Sequence, residues 1–101
     1  MSKKFSTFSE FYPFYLKEHS NLVCRRLHFF GSWLVIALVI LAWARSEPLL
    51  LLLVPVVGYG CAWVGHYFFE HNKPATFTYP LYSLMGDWVM WKDILFGKVK
   101  V

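Results

Sequence analysis

The chain has 101 residues, of which 57% are hydrophobic and only 16% charged, and it carries a net charge of +4 at neutral pH. One small domain at most fits this length, and a water-soluble domain of that size hides too little surface to accommodate so much apolar area. Disorder, a nucleic-acid tail and a disulfide-built scaffold (the cysteines are Cys24 and Cys61 alone) are excluded on the same grounds, and lipid is the solvent that fits.

The first segment, residues 5–18, reads FSTFSEFYPFYLKE. Its aromatic content suits an interfacial helix, and Pro13 predicts either a short helix or two helical pieces. Ser20 and Asn21 are good helix caps and predict the start of a long helix over residues 22–44. From Leu27 to Ala44 that segment is uncharged, and a second uncharged run extends from Pro48 to Phe69. Each is near the roughly 20 residues a helix needs to cross a bilayer. Both runs are apolar on every face rather than along one stripe, which favours lipid over a soluble helical pair. The connector Arg45-Ser46-Glu47-Pro48 is short and polar, so spans 22–44 and 48–70 form an antiparallel hairpin. Pro55, Gly58 and Gly60 in the second span predict a kink and close helix contact. His71-Asn72-Lys73-Pro74 ends that span. Residues 79–96 alternate apolar and charged positions, too polar to cross, and predict a second interfacial helix.

Nine of the ten Lys and Arg residues flank the hairpin on the side of the termini, and only Arg45 lies in the connector. The positive-inside rule then places both termini in the cytoplasm. The expected fold is an all-α membrane protein, a two-helix transmembrane hairpin with flanking interfacial helices. Its partner is the lipid bilayer, and its place is a bacterial inner membrane, or the endoplasmic reticulum in a eukaryote. No nucleic-acid partner is expected. A homo-oligomer is, because two spans offer little surface for burying polar groups.

Four histidines, His19, His28, His66 and His71, stand near the cytoplasmic ends of the spans. At 1.5 Å per residue, His28 to the turn and the turn back to His66 climb roughly 27 and 30 Å, so the two imidazoles return to the same depth. His19 can fold over the same mouth, and Glu70 follows His66 by one helical turn. Imidazoles with a carboxylate and open positions suit non-haem Fe(II), and zinc accepts similar ligands. The plainer reading is that these histidines bond lipid headgroups or backbone carbonyls. For His71, in a polar stretch, the plainer reading is the stronger one.

The segments FYPFYLKEHSNLVCRRLHFFG and WVGHYFFEHNKPATFTYPLYSLMGDWVMW resemble the Mpo-like family of 2-hydroxy fatty acid dioxygenases, in its short bacterial form. The resemblance covers most of the chain. Its markers are the aromatic start, the spacing of His19 and His28, Gly65-His66, Phe69-Glu70 and Pro74-Ala75. Two positions depart from the pattern: Cys24 stands where Asn is common, and His71 where relatives can carry a basic residue. The resemblance implies a Fe(2+)-dependent dioxygenase of α-oxidation that takes a 2-hydroxy fatty acid and O2 and shortens the acid by one carbon. His19, His28 and His66 would be catalytic and would hold the metal with Glu70, and with His71 or Asp87 as further candidates. Arg25, Arg26 and Lys73 could hold the substrate carboxylate, although all three also serve as topology charges. The alternatives from other classes are a non-enzymatic hairpin binding haem or zinc, and a structural or lipid-interacting membrane protein.

Overall fold

The computed structural model describes residues 5–101; Lys3 and Lys4 of the charge bias lie outside them. The described residues are helical with connecting turns and contain no strand. Helix α1 runs over Phe8–Lys17. Thr7 caps it by accepting the Glu10 N–H at 3.2 Å, and the Glu10 carboxylate accepts the Ser6 N–H at 3.1 Å. Pro13 sits inside α1 without splitting it.

Helix α2 runs over Leu22–Ala44, capped by Asn21, whose Oδ1 accepts the Val23 and Cys24 N–H groups. After a turn with Ser46 at positive φ, the chain returns in three pieces. Pro48–Leu52 is a 3-10 turn, Leu53–Val64 is helix α3, and Gly65–Glu70 is a π-helical turn. The second span is thus not one uniform helix. Pro55 falls in the first turn of α3, where a missing N–H costs little. Leu22–Ala44 and Pro48–Glu70 are both long and apolar enough to cross a membrane.

Helix α4, Pro80–Leu95, folds back on α1 and α2. Together with α1 it forms an aromatic cap over one end of the hairpin. The cap holds the apolar core: Phe11 and Tyr15 from α1, Met90 and Ile94 from α4, with Ala75 and Val99. Phe11 is fully buried, its ring within 6.1 Å of Phe5, Phe8, Phe14, Tyr79 and Tyr82. Such offset and edge-on pairs add to the burial energy of each ring.

The two spans do pack closely, but not through the glycines that the sequence suggested. Nothing lies within 4 Å of a Cβ built on Gly60, and Gly58 meets only Val35 at ordinary contact. The tightest sites are Gly65, where a Cβ would stand 2.8 Å from Cys24 Sγ, and Gly86, where it would stand 2.9 Å from the Tyr15 ring; within the hairpin, Gly31 of the first span meets Cys61 of the second at 3.0 Å. Gly65 and Gly86 let the end of the second span close on α2, and α4 close on α1, and both approaches border the histidines.

Candidate metal centre

His19 follows α1 in the turn before α2, His28 lies two turns into α2, and His66 lies in the π-helical turn. The three come together beneath the cap and are almost completely buried. His19 Nε2 stands 3.0 Å from His28 Nε2 and 2.9 Å from His66 Nε2.

The opposite nitrogen of each ring is fixed by an oxygen. His19 Nδ1 lies 2.7 Å from the Tyr15 carbonyl, His28 Nδ1 2.9 Å from the Cys24 carbonyl, and His66 Nδ1 2.7 Å from Asn72 Oδ1. A carbonyl oxygen can only accept, so the first two assign the proton to Nδ1. The Asn72 amide is also oriented: its Nδ2 donates to the Glu18 carbonyl at 3.1 Å, which leaves Oδ1 to accept from His66. All three Nε2 atoms therefore carry lone pairs, and they face one another in a buried place with no proton to share. Three converging acceptors are unfavourable without a cation between them. Imidazoles oriented through the far nitrogen by an oxygen acceptor are the usual arrangement of metal-ligating histidines.

Burial, and the proximity of His28 and His66, hold His19 well below the ordinary histidine pKa, which keeps it neutral and able to coordinate. The Tyr15 ring stacks on His19 with centroids 4.0 Å apart, and its hydroxyl donates to Asp87 Oδ1. Burial and the adjacent Asp87 carboxylate keep the Tyr15 hydroxyl protonated. Burial pushes Asp87 up to about 6, against the opposing hydrogen bond from Tyr15.

Cys24 is a donor that the sequence reading did not assign. It is fully buried, its Sγ is 3.7 Å from His28 Nδ1, and it belongs with the three histidines to the one group of metal-capable side chains within 4.8 Å of one another among the described residues. Its contact with His28 is on the side of Nδ1, the nitrogen that the Cys24 carbonyl also holds, and not on the side of Nε2. Asn72 and Tyr15 were missed as well. The only hint in the chain is their closeness to His66 and His19.

Other expected site residues go elsewhere. Glu70 does not join the cluster: its carboxylate accepts the Asn21 N–H and the Ser20 hydroxyl. The expected i, i+4 face requires α-helical register, and residues Gly65–Glu70 are π-helical. Glu70 instead ties the end of the second span to the start of α2. His71 is exposed, in left-handed conformation at φ 59°, and closes the π turn through its N–H on the His66 carbonyl. Asp87 serves Tyr15 and is not among the converging donors. The cations do not reach the site either. Arg25 donates to the His19 carbonyl at 2.6 Å and to the Lys100 carbonyl at 3.3 Å, Arg26 is exposed, and Lys73 lies over the Phe77 ring. Carbonyl partners and surface hydration satisfy these charges without a substrate.

Two spaces adjoin the histidines. A small cavity of about 10 Å³ touches His19, His28, His66, Tyr15, Ser83 and Asp87. A larger cleft of about 260 Å³ runs between α2, α3 and α4. His28 and Asp87 border both, and the cleft is otherwise lined mainly by apolar side chains such as Val35, Val54 and Leu84. An apolar cleft that ends at a few convergent polar groups is the usual form of a small-molecule site.

These features define an all-helical protein with a buried three-histidine cluster that could hold a metal. The sequence matches the 2-hydroxy-palmitic acid dioxygenase Mpo1-like family over residues 5–99, and the chain belongs to that family. No curated protein and no solved structure matches it.

Proposed function

We propose that this chain is a membrane-embedded, Fe(II)-dependent dioxygenase that shortens 2-hydroxy fatty acids by one carbon. The observation that carries the reading is the convergence of three Nε2 lone pairs at the closed end of an apolar cleft. The family name supports the reaction class. In the overall reaction, 2-hydroxypalmitic acid and O2 give pentadecanoic acid, carbon dioxide and water. The bond between the carboxyl carbon and the hydroxyl-bearing carbon breaks, and dioxygen takes up the four electrons that the acid loses.

His19, His28 and His66 would hold the metal, which when bound supplies Lewis acidity and the electrons that open dioxygen to reaction. The separations of 2.9 and 3.0 Å from His19 Nε2 to the other two bring the lone pairs close enough for one ion to share them. They also leave no room for a porphyrin between the rings. The cleft would take the acyl chain, with the acid head at the end that His28 borders. The Tyr15 carbonyl, the Cys24 carbonyl and Asn72 keep each ring in the tautomer that coordinates. The apolar walls and the cap exclude water from the reacting end.

The hairpin would cross the bilayer with the cap on the cytoplasmic face, as the distribution of Lys and Arg supports. The expectation of self-association assumed that two spans cannot bury a polar cluster alone. A single chain does bury it, because α1 and α4 close over it, so that reason no longer holds.

The test is anaerobic reconstitution of purified protein with ferrous iron, followed by 2-hydroxypalmitate and air. About one iron per chain and release of pentadecanoate are expected, with both lost in His28→Ala and His66→Ala. Less than a tenth of an equivalent of iron, with no shortened acid, would refute the proposal.

A further inference from the structure

Ser83 is almost completely buried on α4, yet its Oγ has no hydrogen-bond partner. Serines in helices commonly bond back to the carbonyl one turn earlier. Here the Tyr79 carbonyl accepts the Ser83 N–H at 2.8 Å, and the hydroxyl makes no bond at all. A buried hydroxyl left unpaired costs stability, so its retention at a site needs a reason. Ser83 borders the small cavity beside the three histidines. One helical turn on, Asp87 borders the same cavity, with one carboxylate oxygen already taken by Tyr15.

The chemistry of the cavity says which ligand atom would use the hydroxyl. No Lys or Arg lines either space, so a carboxylate entering there meets no cation from the protein. An oxygen of that carboxylate not engaged by the metal needs a neutral donor. Of the donors bordering the cavity, Tyr59 and Thr76 remain within reach of the surroundings, whereas Ser83 is almost completely buried with its hydroxyl unengaged; an ionised Asp87 and the histidine-bound carbonyls can only accept.

We propose that Ser83 positions the substrate, its hydroxyl donating to the carboxylate of the 2-hydroxy fatty acid in place of the arginine or lysine that the sequence suggested. This role rests on the function proposed above. Ser83 touches substrate and leaves the metal to the histidines, so metal loading and substrate binding separate in its variants.

The experiment compares the full-length wild type with Ser83→Ala, both iron-loaded and anaerobic, so that binding is measured without turnover. Titration with 2-hydroxypalmitate should give a Kd at least tenfold higher for Ser83→Ala, the scale of a hydrogen bond to a charged group. Iron content should be unchanged, and the thermal midpoint of the metal-free protein should hold or rise, because an unpaired hydroxyl has been removed. Equal affinities, with the wild type binding, would overturn the role of Ser83 and leave the proposed function standing. A fall in the midpoint of several degrees would show that the hydroxyl is structural and would also overturn the role. A wild type that takes up iron and fails to bind the acid would overturn both.

Discussion

The cap and the hairpin bury their apolar residues by opposite rules. In the cap, Phe11, Tyr15 and Met90 are enclosed by neighbouring side chains. In the hairpin, Trp43 is 84% exposed, Leu49 76% and Leu52 69%, and the buried positions are few: Cys24, His28, Gly31, Ala42, Gly65 and His66. The hairpin encloses small and polar groups and turns its large apolar side chains outward, as expected of a segment whose solvent is hydrocarbon. The cap has the core of a small soluble domain. The candidate metal centre lies at the junction, with His28 and His66 from the hairpin and His19 from the turn after the cap helix. The difference teaches that the two parts have separate tasks. The hairpin provides depth and an apolar cleft, and the cap provides closure.

This contrast can be broken by substitution. The largest effect is expected at Phe11. Its truncation to alanine should cost about 3–5 kcal/mol of unfolding free energy in detergent, the range for a fully buried aromatic. A loss below about 1 kcal/mol would mean that the cap is not a packed core. Next comes Asn72→Leu, which keeps the branched shape of the side chain and removes the acceptor that orients His66, along with the donor to Glu18. Outer partners of metal ligands are typically worth 10–100-fold in metal affinity, and a loss of that size is expected by competition with a chelator. An unchanged affinity would show that the Asn72 contact is incidental. The smallest effect is expected at Leu52→Ala. That side chain faces outward, so in a bilayer both the folded and the unfolded state would leave it in lipid. A change of less than about 0.5 kcal/mol is expected there, and a loss comparable to that at Phe11 would erase the distinction between the two regions.

The hairpin and the meeting of His28 with His66 were legible in the sequence because both follow from length. Two uncharged runs of similar span joined by a four-residue polar turn must return the chain to its starting depth. The place of His19 was legible for the same reason. What could not be read depends on contacts between distant segments. The π turn at Gly65–Glu70 has no composition signature, and it sends Glu70 to Asn21 instead of to the histidine cluster. Asn72 looks like a helix breaker until the Glu18 carbonyl fixes its amide. Arg25 looks like a carboxylate binder until the His19 and Lys100 carbonyls occupy it. Ser83 is one serine among several until its burial and missing partner are seen.

The central claim is that three imidazole Nε2 atoms, each with its Nδ1 proton held by an oxygen, form the metal centre. X-ray absorption at the iron edge of the reconstituted protein tests it most directly. The account predicts a nitrogen and oxygen shell with the multiple-scattering signature of three imidazoles and no sulfur. A sulfur shell from Cys24, or scattering from fewer than three imidazoles, would contradict it.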